Sequence, residues 1–360
     1  MFDWVPIESY TPLFHYICLL VVTIIFIHTH ITNLTDQKAI FKRNIFGFIF
    51  VIFVLLYMGL RPIHGVFIDM TTYNEIFEMF KLGRFDIGKQ DIAFDYLMKY
   101  SSAIMSAHSF FFVCASLYII PLYLVSKKWF KEYWFYSFLL LVVSFSFWSY
   151  GTNGIRNGIA SSLFLLGVSR ERKIWQIVLI ILAISFHKSI LLPTIGFILA
   201  NIYNKPKYFI FFWFFSILLS LAGGSFWENF FSNIGLDDNR LSYLTTASDK
   251  SFSRKGFRWD FLLYSSVPTL IGWYFIVKKG FVDRKYFLIY NTYLFSNALW
   301  ILVIRANFSN RFAYLSWFMM ALIIIYPLLK KFLIPKQHQL IGTITILYFG
   351  FTFILLVILK

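Results

Sequence analysis

The sequence predicts an all-α polytopic membrane protein of about twelve transmembrane helices, with amphipathic helices on its outer face. Of 360 residues, 59% are hydrophobic and only 14% charged. Mean hydropathy is +0.69. Apolar runs punctuated by basic residues recur along the whole chain. A soluble domain carries about 25% charge, so a cytosolic enzyme, a secreted disulfide scaffold and a disordered interaction protein are all excluded. At ~20 residues per span, twelve helices take up roughly two thirds of the chain. Too little is left for a soluble domain, and residues 1–360 read as a single transmembrane domain. The runs are apolar on every side rather than alternating with period two, which argues against a closed barrel.

The first run, 12–31, follows the acidic stretch MFDWVPIESY, which lacks a basic region and a small-residue cleavage site. It therefore reads as a retained span rather than a signal peptide. A second run, 45–60, precedes a connection at 61–107. There Thr72-Tyr73-Asn74-Glu75 has capping-box spacing, Tyr73, Ile76, Phe77 and Phe80 share a face, and Gly83 is a stop signal. Past a turn, Ala93, Tyr96, Leu97, Tyr100 and Ile104 form a second apolar face opposite an Asp95–Lys99 pair. Both segments read as amphipathic helices lying on the membrane surface. Runs at 108–125, 134–149, 154–169, 174–187, 188–203 and 207–222 follow at short intervals. A polar connection at 223–258 reads as a mobile loop, and runs at 259–277, 286–304, 308–329 and 340–358 complete the chain.

The net charge of +16 would suggest nucleic acid on a soluble protein; here it sorts across a bilayer. With the N-terminus outside, the cytoplasmic connections hold 18 basic and four acidic residues, a net of +14, whereas the outer side nets +2. Every inner connection is short, which is where the positive-inside rule applies. Both termini and both long connections then face outward. Cys18 and Cys114 lie in apolar runs and support neither a disulfide framework nor a thiolate metal site. The sequence carries no HExxH, phosphate-binding glycine loop or dinucleotide fingerprint, and the histidines are too scattered to propose a metal. No metal or cofactor is expected.

Polar side chains are expensive in a bilayer and usually face an interior or wet cavity. In GTNGIRNGIASS, Asn153, Arg156 and Asn157 form a polar stripe beside a small-residue stripe of Gly154, Gly158 and Ser162, the spacing that lets helices approach closely. In RANFSNRFAYLSWF, Arg305 ends one span and Arg311 begins the next, with Asn307, Arg311 and Tyr314 on one face. Two guanidiniums there suit a phosphate or diphosphate, which arginine binds bidentately. LRPIHGVFIDMTTY contributes Arg61, His64, Asp69 and Tyr73 at an outer helix end. SFHKSI places His187 between two apolar runs, where a neutral imidazole can act as a general base. In GFRWDF, Arg258 and Asp260 either face the site or pair with each other. The topology brings all these stretches to outer helix ends, which fits a lipid-linked phosphate better than an ion pathway.

At LRPIHGVFIDMTTYNEIF, NGIRNGIASSLF, SFHKSILLP, GFRWDFLLYSSVP and NALWILVIRANFSNRFAYLSWF, the sequence resembles the EpsG family of polysaccharide polymerases, the Wzy-type O-antigen and capsule polymerases. The resemblance covers most of the chain from about 55 to 330. It departs at Asn157, where the family often has glutamine after the arginine. It implies a membrane-embedded, GT-C-like lipid-linked glycosyltransferase in the bacterial cytoplasmic membrane, with its active site toward the periplasm or exterior. Such enzymes join a growing glycan on one undecaprenyl-diphosphate carrier to a repeat unit on another, without a nucleotide-sugar donor or a metal. The implied partners are lipid-linked oligosaccharide and polysaccharide, membrane lipid and, in some systems, a chain-length regulator protein, but no nucleic acid. His187 and Asp69 are the two candidate bases. Arg61, Tyr73, Asn153, Arg156, Asn157, Arg258, Arg305, Arg311 and Tyr314 are the candidate substrate ligands. An O-antigen ligase would share these arginines. A lipid-linked oligosaccharide flippase would carry cations deep in its bundle and usually internal repeats, and the sequence shows neither.

Overall fold

Helices occupy all twelve apolar runs. The computed structural model describes residues 4–33, 35–88, 90–233, 256–306 and 309–359, and among these there is no strand. In chain order the helices are α1 (Ile7–Ile31), α2 (Gln37–Gly59), α3 (Ile68–Lys81), α4 (Ile92–Ile104), α5 (Ala107–Phe130), α6 (Trp134–Val142), α7 (Phe147–Thr152), α8 (Ile155–Ser169), α9 (Lys173–Phe186), α10 (Leu191–Ile202), α11 (Pro206–Asn233), α12 (Trp259–Trp273), α13 (Arg284–Leu302), α14 (Asn310–Trp317), α15 (Met320–Lys330) and α16 (Gln337–Phe353). By length and composition, seven helical segments among the described residues suffice to cross a membrane. Helices α8, α9 and α10 have 15, 14 and 12 residues. At ~1.5 Å per residue they rise only about 18–23 Å, short of a ~30 Å hydrocarbon core.

Several local expectations are corrected. The Thr72–Glu75 capping box lies inside α3, which begins four residues earlier at Ile68, and Thr72 instead bonds back to the Ile68 carbonyl. Gly83 does end the helix, with φ +67, the left-handed conformation glycine adopts without penalty. Helix α4 buries Phe94, Met98 and Ser101 and leaves Tyr96, Tyr100 and Ile104 exposed, an open apolar face. Asp95 accepts the Gly88 backbone N–H rather than pairing with Lys99. The 223–258 connection is shorter than expected, because α11 kinks at Gly223 and continues to Asn233; positions 234–255 lie outside the described residues.

The chain forms two compact units, Met1–Lys188 with Leu328–Lys360, and Ser189–Pro327. In the first, α8 packs against α5 and α9, and α1 packs against α16. The small-residue stripe explains the α5–α8 approach: a Cβ on Gly158 would sit 2.7 Å from the Tyr150 carbonyl oxygen and 3.3 Å from the Tyr118 ring. Ser162 bonds across to the Leu117 carbonyl of α5 at 3.2 Å. Polar contacts within this unit sort to two ends. Tyr10 and Tyr57 exchange hydroxyl-to-carbonyl bonds and stack at 4.3 Å, and Trp148 donates to Thr11. At the basic end, Lys128 pairs with Glu171 at 3.0 Å, and Arg43 reaches Tyr136 and the Glu132 carbonyl.

The second unit is pinned by a buried polar network. Asn297 accepts the Trp213 indole N–H at 2.7 Å and donates to Ser316 at 2.9 Å and Ser265 at 3.3 Å. Ser265 also accepts from the Trp317 indole at 2.7 Å. Four helices, α11, α12, α13 and α14, are thereby fixed through one fully buried amide. Leaving a buried donor unpaired costs about 1–3 kcal/mol, so Asn297→Leu is expected to lower the thermal unfolding midpoint by several degrees. An unchanged midpoint in detergent would show that the network does not hold the unit together.

Candidate functional site

The first unit gathers a charged cluster from four separate parts of the chain. Helix α3 presents Tyr73, the start of α4 presents Asp91, the first turn of α8 presents Arg156, and the end of α9 presents His187. Arg156 donates from Nε to the Tyr73 hydroxyl at 2.7 Å and from Nη1 to Asp91 Oδ2 at 2.7 Å. Its guanidinium also lies 5.5 Å from the Tyr73 ring centre. The second Asp91 oxygen accepts the Lys188 backbone N–H at 3.1 Å and stands 3.7 Å from His187 Nδ1. One carboxylate thus links the arginine to the histidine.

Burial gives these contacts weight. The Asp91 side chain is 5% exposed and that of Arg156 is 35% exposed, so the pair is held in a protein environment with one edge open. Among the described residues, Arg156 makes these two side-chain hydrogen bonds and none from Nη2. A planar guanidinium with two nitrogens fixed and a third available is a pre-oriented donor for an anion. Burial pushes the Tyr73 hydroxyl above the usual tyrosine range, with Arg156 acting the other way. Tyr73 stays neutral, so while its oxygen accepts from Arg156 its own proton remains available to donate. Asp69, in the first turn of α3, is half-buried and lies within electrostatic reach of Tyr73, Arg61 and Arg156.

Asp91 is the residue the sequence reading missed. It occupies the position before α4 where an aspartate ordinarily caps its own helix, but it makes no capping bond. Its φ is +51, a left-handed conformation that aspartate tolerates better than most residues. The one sequence signal was indirect: an arginine near an apolar helix start needs a carboxylate, and 61–107 supplies several.

The other candidates lie in more varied settings. Arg61 is 1% exposed and donates from Nη1 to the Met58 carbonyl at 2.5 Å, closing the last turn of α2. It stacks on Phe67 and Phe111, and burial pulls its pKa down to about 10. Asn153 follows α7 and is exposed, and Asn157 is half-buried one residue beyond Arg156. In the second unit, Arg258 grips Asp260 with both arms, at 2.9 and 2.6 Å, over the Phe261 ring. The self-paired alternative is the one observed there. Arg305 donates to the Ser220 carbonyl and lies 5.0 Å from the Phe257 ring centre; a Cβ on Gly224 would collide with its guanidinium. Arg311 is exposed in the first turn of α14, and Tyr314 packs on Trp317 at 5.5 Å. Asn307 lies outside the described residues. Among the described residues no three His, Cys, Asp or Glu side chains are grouped so as to hold a metal ion.

Compared with known proteins, residues 44–360 match the model of the EpsG family. No curated protein and no solved structure matches.

Proposed function

The chain belongs to the EpsG family, and from that premise we propose that it extends a glycan by transfer between two undecaprenyl-diphosphate carriers at the outer face of a bacterial cytoplasmic membrane. Family membership supports a polysaccharide-polymerase role; the carrier, the membrane face and the residue roles are our reading. The observation that carries it is the Tyr73–Arg156–Asp91–His187 cluster, a pre-oriented cation and an imidazole joined through one carboxylate.

In this reading the acceptor hydroxyl loses its proton to His187 Nε2 as its oxygen attacks the anomeric carbon of the donor glycan. The bond from that carbon to the diphosphate breaks, and the bonding pair leaves with the lipid diphosphate. Asp91 faces the Nδ1 side of the imidazole at 3.7 Å and stabilises the positive charge it gains on taking the proton. The free Nη2 of Arg156 meets the charge developing on the leaving group, where preorganised donors are most effective. Arg305 and Arg311, within the second unit, are proposed as phosphate-binding side chains of that unit. Asp69, beside arginines, is the weaker base and orients the acceptor sugar.

Supplying lipid A–core together with the lipid-linked repeat unit separates polymerase from ligase. Products extended on the carrier lipid support the polymerase; glycan transferred only to lipid A–core would make the protein a ligase. The membrane orientation has its own test. In a background lacking Cys18 and Cys114, single cysteines at 128, 172 and 279 are expected to escape an impermeant thiol reagent on intact cells, whereas one at 232 reacts. The reverse pattern would place the cluster on the cytoplasmic side.

A further inference from the structure

We propose that the cavity between the end of α1 and the start of α2 binds the phosphate of an anionic phospholipid, with an acyl chain along its apolar wall. The cavity has a volume of about 460 Å³, within the ~300–1,000 Å³ of small-molecule sites. It lies within the first unit at the basic end, the opposite end from the Arg156 cluster, and the polymerase reading does not use it.

Its charge is unbalanced. Lys38, Lys42 and Arg43 line it, with Asp36 the one carboxylate among the lining residues. The Asp36 side chain is engaged in capping α2 through the Lys38 backbone N–H at 3.0 Å. Both lysines are exposed, and no described carboxylate pairs with them. Arg43 is only 3% exposed, yet its partners are neutral: the Tyr136 hydroxyl at 3.2 Å, the Glu132 carbonyl at 3.0 Å, and the Tyr133 and Tyr136 rings. Its Nε is buried without a hydrogen-bond partner. Among the described residues no carboxylate comes within ion-pair distance of this buried cation, a costly arrangement, and a phosphate held at Lys38 and Lys42 would bring a countercharge close to it.

Apolar surface decides between a lipid and a soluble anion. Ile24 and Phe46 line the same cavity as the cations. Ile25 lines it too, and Ile24 is 41% accessible. A free phosphate gains nothing from such a wall, whereas an acyl chain covers it. Basic pockets between helices on the cytoplasmic side suit anionic headgroups for this reason.

The test is native mass spectrometry of the purified full chain with phosphatidylglycerol, with phosphatidylcholine of the same acyl chains, and with inorganic phosphate as competitor. Wild type is expected to retain phosphatidylglycerol over phosphatidylcholine. Retention should fall about tenfold or more in the Lys38→Gln, Lys42→Gln double variant, whose exposed positions spare the fold. A Lys127→Gln, Lys128→Gln control, at the same end but outside the cavity, is expected to bind like wild type. Equal retention of the two lipids, or undiminished retention by the cavity double variant, would overturn the proposal. Displacement by inorganic phosphate at equal concentration would overturn it too, assigning the cavity to a soluble anion.

Discussion

Replacing His187 with alanine is expected to abolish glycan extension while leaving affinity for the lipid diphosphate near that of wild type. The imidazole is 11% exposed and its Nδ1 stands 3.7 Å from Asp91, and in the proposed reaction it accepts a proton rather than binding phosphate. General acid–base catalysis contributes roughly 10²–10⁴-fold, and the loss should fall in that range. Two measurements on one preparation check it: product length on a gel, and binding of the lipid-linked unit. Asp69→Asn, in contrast, should slow extension less severely. An active His187→Ala with an inactive Asp69→Asn would exchange the two roles. If both variants are active, positioning and leaving-group stabilisation carry the reaction.

Arg156→Lys is expected to weaken both binding and extension, a pattern distinct from that of His187→Ala. The guanidinium holds Tyr73 and Asp91 at 2.7 Å each and still has a nitrogen to spare. A lysine ammonium is a point charge without the planar fork, and it cannot keep both bonds while presenting a third donor in the same plane. A hydrogen bond to a charged group is worth about 1.5–3 kcal/mol, so activity should fall roughly 10–100-fold at normal expression. Wild-type extension by the lysine variant would remove Arg156 from the diphosphate site.

The helices were legible in the sequence because a bilayer demands long apolar runs and interrupts them with charge. Their lengths were less so: α8 is bounded by non-helical backbone at Gly154 and Arg170 and α9 by Arg172 and His187, and apolar composition alone does not mark these points. Arg156 and His187 stood out because each is polar among apolar neighbours. Asp91 did not, since an aspartate ahead of an amphipathic helix looks like an ordinary cap; only its left-handed backbone releases the carboxylate to α8. Arg258 illustrates the converse. Its spacing left site and self-pairing open, and the pairing with Asp260 is the contact seen.

Chain extension in a defined mixture tests the central claim most directly. Purified protein is incubated with lipid-linked repeat unit alone, without nucleotide or added metal, and the products are resolved by size. A ladder of longer lipid-linked glycans is the predicted result. Unextended repeat unit, from protein shown to bind it, would contradict the assignment of this cluster to a polymerase.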